Sequence, residues 1–308
     1  MRAVTVEERF DLSRVHRRPR RWWLHILLFS LTFVSTTTFG FALARSFALG
    51  RPLNETFLDE SYTRLAHGGA GLWSGMLYSV PLLLILLAHE FGHYFTCRRW
   101  HVDATLPFFG PSPTLLGTVG AFIWIRSPIY KRKGLFDIGV SGPIAGFVIL
   151  IPFLVAGVWM SRVVHGVQSF GPIVFGTPLL MRAVEAIRFP GISSADICLH
   201  PMAVAAWAGL IATAINLLPV GQLDGGHILY AVLGGRGHKI VSLALVCILA
   251  GLGFLYWPWW VWAVAMFFLR RHSLIYDDEP LGARRSAIAA LAAVLLVVSI
   301  SVVPVQIR

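Results

Sequence analysis

Apolar residues in this chain come in long, nearly uninterrupted runs, with the charged residues gathered between them. The runs cover about 22–44, 72–97, 135–160, 201–218 and 286–303, and a stretch without charge fills 240–269. A helix that crosses a bilayer needs about 20 apolar residues, so each run is predicted to cross once. As a single helix, 240–269 would measure about 45 Å, well beyond an apolar core of roughly 30 Å. The cluster "YWPWW" at 256–260 offers a break, and two short helices are predicted there. The run at 22–44 exceeds the apolar part of a signal peptide and is expected to stay as an anchor.

Segment 104–126 departs from this pattern. It contains Pro107, Pro111 and Pro113, then Gly117 and Gly120, and ends in β-branched and aromatic residues. Non-helical backbone at membrane depth survives only where protein or a water-filled cavity satisfies its polar groups. The segment is therefore predicted to be a re-entrant β-hairpin lining a site. A further helix is predicted after Thr177 and Pro178, lying along the membrane surface. The fold class is an all-α polytopic membrane protein of about six to seven transmembrane helices, with the hairpin beside the candidate site.

Composition agrees. Of 308 residues, 56% are hydrophobic and 13% charged, and mean hydropathy is +0.70, against about 25% charged in a soluble domain. The net charge of +11 does not point to nucleic acid, because the basic residues flank apolar runs. With the runs alternating from an inner N-terminus, the inner segments hold seven, six, two and four Arg plus Lys, and the outer segments hold seven in total. Positive charge collects on the cytoplasmic side, so a cytoplasmic N-terminus is expected, in a bacterial cell membrane. Cys97, Cys198 and Cys247 imply no disulfide framework and no zinc spacing.

The second run ends in HEFGH. His89 and His93, four apart, share one helix face and can bind one zinc ion, with Glu90 placed to move a proton. Zinc needs a third protein ligand. Asp224 in "NLLPVGQLDGGH" lies at a depth matching HEFGH, among glycines that let the backbone turn. Read alone, it is an aspartate in a turn after a helix.

Together, HEFGH and "NLLPVGQLDGG" resemble the site-2 protease family of intramembrane zinc metalloproteases, in the branch without PDZ or CBS domains. "LGTVGAFIWIRSPIYKRKGLFDIGVSGPIAGF" at 116–147 is similar to that family's hairpin and following helix. The resemblance spans about 72–235 and makes this the core of a single membrane-embedded domain. Residues 1–71 then form an anchor and outer loop, and 236–308 accessory spans. It implies one zinc per chain on His89, His93 and Asp224, with Glu90 as general base and then acid. Asn216 would hold the substrate carbonyl or the developing oxyanion, or else make a helix–helix hydrogen bond. The implied partners are a transmembrane protein substrate and the lipid bilayer, and the oligomeric state is open. Asp137 is open between a structural hydrogen bond and a functional role. The alternative is a membrane metal-binding protein or transporter using the same His/His/Asp site. It leaves Glu90 without a purpose, and no internal repeat favours it.

Overall fold

A computed structural model describes residues 22–113, 116–167, 171–271, 277 and 279–307. The basic stretch before Trp22, which carries seven of the inner charges, and residues 272–276 lie outside the described residues. The chain runs α1 (Trp22–Leu49), α2 (Glu55–Ala66), a 3₁₀ turn (Leu72–Gly75) and α3 (Met76–Arg99). The hairpin strands β1 (Phe108–Pro111) and β2 (Thr118–Phe122) follow, then α4 (Arg132–Trp159). Next come β3 (Arg162–Val163), β4 (Ile173–Phe175), α5 (Leu179–Arg188), β5 (Ile197–Cys198) and α6 (Pro201–Asn216). The chain closes with α7 (Asp224–Leu252), α8 (Pro258–Leu269), α9 (Ala283–Ser299) and β6 (Val305–Ile307).

The protein is an all-α polytopic membrane protein. Four stretches are long and apolar enough to cross a membrane by length and composition: Trp22–Leu49, Leu72–Arg99, Arg132–Trp159 and Asp224–Leu252. Helices α6, α8 and α9 stand where spans were expected, but have only 16, 12 and 17 residues, fewer than the roughly 20 a full crossing takes. Seven crossings are thus an expectation beyond these four. The predicted break in 240–269 exists, since α7 ends at Leu252 and α8 begins at Pro258. Helix α7 also starts far earlier than its apolar run and breaks at Gly234 (φ 69°, ψ −178°).

Local sequence sets the helix ends. His200 caps α6, its Nδ1 accepting from the Met202 N–H at 3.2 Å, and Pro201 opens the helix where a missing N–H costs nothing. Thr177 does not cap α5; Pro178 holds that position without a side-chain hydrogen bond. Helix α6 is the centre of the core. Its Ala203, Val204, Trp207 and Leu210 are buried against Leu82 and Ile85 of α3 and Leu150 and Leu154 of α4. Small residues let α6 approach α4 closely where lipid offers no hydrophobic drive: a Cβ on Gly157 would stand 2.4 Å from the Ala203 nitrogen.

The predicted hairpin forms. β1 and β2 pair antiparallel from Phe108↔Phe122 to Pro111↔Thr118, and an Ala104↔Ile125 bridge lengthens it. The register skips Val119, which makes a bulge. Helix α1 braces the hairpin: Ser35 Oγ donates to Gly117 O at 2.6 Å, and His25 Nδ1 bonds Pro107 O at 3.0 Å. Tyr78 of α3 donates to Leu116 O at 3.0 Å. The α1 hydroxyls of Thr32, Thr36 and Thr38 are each satisfied by a carbonyl one turn back.

Asp137 has a structural role. Both its oxygens accept from Arg285 of α9 at 2.8 Å, and the indole N–H of Trp100 reaches it at 3.2 Å. Nearby, Lys133 pairs with Glu279 at 2.7 Å, and the Arg132 N–H donates to Asp277 at 2.9 Å. The backbone N–H groups of Glu279 and Arg132 hold the Asp277 carboxyl below the usual range. These contacts fasten α9 to the start of α4.

Candidate metal centre and active site

The HEFGH residues lie in the second half of α3, where the four-residue spacing stacks both imidazoles on one face. Their Nε2 atoms lie 3.1 Å apart. Asp224 is not a loop residue: it is the first residue of α7, reached through a turn that follows α6. Its two oxygens lie 3.1 Å from His89 Nε2 and 3.2 Å from His93 Nε2. These three residues are a group able to hold a metal ion. Tetrahedral zinc with ligand bonds of about 2.0–2.1 Å sets its ligand atoms about 3.4 Å apart, close to the separations seen.

The tautomer also fits. His93 Nδ1 lies 2.8 Å from the Ile138 carbonyl and must donate to it, which leaves the Nε2 lone pair of a neutral ring for a metal. The donor set of two imidazoles and a carboxylate suits zinc and leaves a fourth position open. Two glycines of α4 make the room. A Cβ on Gly142 would stand 2.1 Å from His93 Nε2, and one on Gly146 would stand 3.1 Å from His89 Cβ. Their small-xxx-small spacing is the sign of a close helix approach that the sequence carries.

Glu90 is buried beside the set, and the backbone N–H of Ile123, just past β2, faces its carboxylate. Asn216 ends α6, with Nδ2 3.4 Å from His89 Nε2. All five expected site residues thus converge from α3, the end of α6 and the start of α7. His227 stands one turn after Asp224 and packs its Cβ toward Gly139 of α4, outside the ligand group. The contacts of Ile138, Ile123 and Gly142 were not foreseen, because two of them act through backbone and one through having no side chain.

Fold and site together define a polytopic membrane protein with a buried zinc-type ligand set beside a buried glutamate. Residues 77–256, more than half of the chain, match Peptidase family M50, and the chain belongs to that family. It is 30% identical over 297 residues to the rice "Probable zinc metalloprotease EGY1, chloroplastic", covering 91% of this chain and 50% of that protein. It is 29% identical over 230 residues to the Arabidopsis thaliana protein of the same name, covering 71% of this chain and 41% of that one. The "Probable zinc metalloprotease EGY2, chloroplastic" of Arabidopsis thaliana is 28% identical over 212 residues, covering 65% of this chain and 36% of that protein. The chain spans about half the length or less of these relatives.

Proposed function

We propose that this chain is an intramembrane zinc metalloprotease that hydrolyses peptide bonds within or near transmembrane segments of membrane proteins. The observation that carries the reading is the convergence of His89, His93 and Asp224 with Glu90 on apolar helices. His89, His93 and Asp224 would hold one zinc. When bound, zinc supplies a Lewis acid that polarises a carbonyl and brings the pKa of a water toward about 7. Glu90 takes the proton from the attacking water and delivers it to the leaving amine. The Asn216 amide, 3.4 Å from His89 Nε2, donates to the carbonyl oxygen as charge develops there.

Zinc content tests the centre. Purified wild type should hold about one zinc per chain, and Asp224→Ala should keep about a tenth or less, because two protein ligands rarely hold a structural or catalytic zinc. Full zinc in Asp224→Ala would remove that carboxylate from the ligand set.

A helical substrate hides its carbonyls in hydrogen bonds and must be unwound before cleavage. The β2 strand supports a way to hold the unwound segment. It leads straight to Ile123, whose N–H faces Glu90, and Val119 is 80% exposed. A substrate segment would add as a further strand through main-chain hydrogen bonds. Proline removes such a donor but is tolerated at bulges, so Val119→Pro should lower cleavage about tenfold or more with zinc content unchanged. Normal cleavage by that variant would leave the hairpin as a plug only.

The core at about 72–235 would carry the chemistry, with 1–71 and 236–308 as flanking parts of a single domain. The charge pattern supports a cytoplasmic N-terminus. Reporters fused after Arg99, Arg271 and Arg308 should then read inside, inside and outside, and an outside reading at Arg271 would break the seven-span layout. A bacterial cell membrane is the setting we propose, although the named relatives are chloroplastic.

A further inference from the structure

Two buried polar side chains that the site does not use lie beneath the turn leading to Asp224. They are His238, 1% exposed, and Ser242, fully buried, both in the part of α7 that follows the break at Gly234. The break lets this part of α7 reach a turn 17 residues back in the chain. His238 Nε2 lies 3.2 Å from the Gly221 carbonyl, and Ser242 donates to the Pro219 carbonyl at 3.3 Å. Ser242 Oγ is also 3.5 Å from His238 Nε2, and the Tyr230 ring packs on the imidazole at 5.7 Å.

These two carbonyls belong to the turn that carries the chain from Asn216 to Asp224. Buried in apolar surroundings, a carbonyl must find a donor, and His238 and Ser242 supply one to each. The turn is confined on its other sides as well. A Cβ on Gly221 (φ +60°) would stand 2.3 Å from the Leu269 carbonyl, and a Cβ on Gly226 would stand 2.4 Å from the Gly221 carbonyl. The Gly221 peptide is therefore gripped by α7 and α8, three residues before the carboxylate.

We infer that His238 and Ser242 are positioning residues for Asp224, acting through the 217–223 turn to set the carboxylate against His89 and His93. A metal site must be held to within about 0.5 Å by the groups around its ligands, and these two side chains reach the turn's carbonyls from a separate stretch of helix. The inference rests on the zinc centre proposed above.

The test measures the zinc dissociation constant of the purified full chain by chelator competition, together with the absorption spectrum of its cobalt-loaded form. His238→Leu keeps the bulk and removes the donor, so it should weaken zinc binding about 10–100-fold and shift the cobalt bands. His238→Gln, which can place an N–H near the same point, should return the constant to within about threefold of wild type. Wild-type affinity in His238→Leu overturns the inference. So does a Gln variant as weak as the Leu variant, since ring shape rather than the hydrogen bond would then matter. If His238→Leu does not purify folded, Ser242→Ala decides, with about threefold weaker binding expected and an unchanged constant overturning the idea. Wild-type protein that binds no zinc would overturn the centre itself, an outcome distinct from these.

Discussion

Glu90→Gln should keep its zinc and lose cleavage by about 10²–10⁴-fold, the range for a removed general base. Glutamine has the shape of glutamate, and its carbonyl oxygen can still face the Ile123 N–H. Packing of a residue only 5% exposed should therefore survive. What the amide cannot do is take a proton from water and return it to a leaving amine. A buried carboxylate is expensive at membrane depth, and among the described residues no Lys or Arg forms an ion pair with it to explain its place. The measurement is turnover of a single-span substrate by liposome-embedded protein, paired with metal analysis of the same sample. Turnover within about tenfold of wild type would take the proton-transfer role from Glu90 and favour the ion-binding alternative.

Gly142→Ala should be as damaging as loss of a ligand, although it adds one methyl group far from the HEFGH motif in sequence. The new carbon would sit 2.1 Å from His93 Nε2, the very atom offered to the metal. The imidazole cannot swing away freely. Its other nitrogen is bonded to the Ile138 carbonyl at 2.8 Å, and the ring packs against His89 with centroids 4.9 Å apart. Either the ring is displaced or α3 and α4 separate. Overpacking of this kind costs about 1–3 kcal/mol in stability, while zinc affinity should fall about a hundredfold or more, since a ligand is pushed out of place. Gly146→Ala is the matched control: its carbon meets His89 Cβ at 3.1 Å, tight but short of the ligand nitrogen. It should lose much less zinc. Equal zinc in Gly142→Ala and wild type would mean that the helices can part without disturbing the centre.

Much of this architecture is legible in the order of residues along the chain. Apolar runs fix helices because a backbone in lipid must satisfy its own hydrogen bonds. Helices accordingly cover the runs at 22–44, 72–97 and 135–160. The cluster of Pro and Gly at 107–120 forbade a helix there, and a hairpin stands in its place. His89 and His93 could be paired from their spacing alone, since 3.6 residues per turn place them together whatever surrounds the helix. Other features had no local trace. Asp224 lies 135 residues from His89, and nothing near it dictates that it begins a helix rather than ends a turn. The break at Gly234, which returns His238 to the Gly221 carbonyl, falls before the apolar stretch at 240–269 and leaves no trace in hydropathy.

The helices, the hairpin and the kinds of ligand follow from amino-acid order because each depends on neighbours within a few turns of chain. Which faces meet is a property of the folded molecule alone. Helix α4 approaches α3 closely enough for Gly142 to touch a ligand nitrogen, the Ile138 carbonyl orients His93, and Ile123 reaches Glu90. Those contacts depend on how ridges and gaps of separate helices fit together. They run through carbonyls and N–H groups, which every sequence carries and none distinguishes, and through a glycine whose partner no local pattern names.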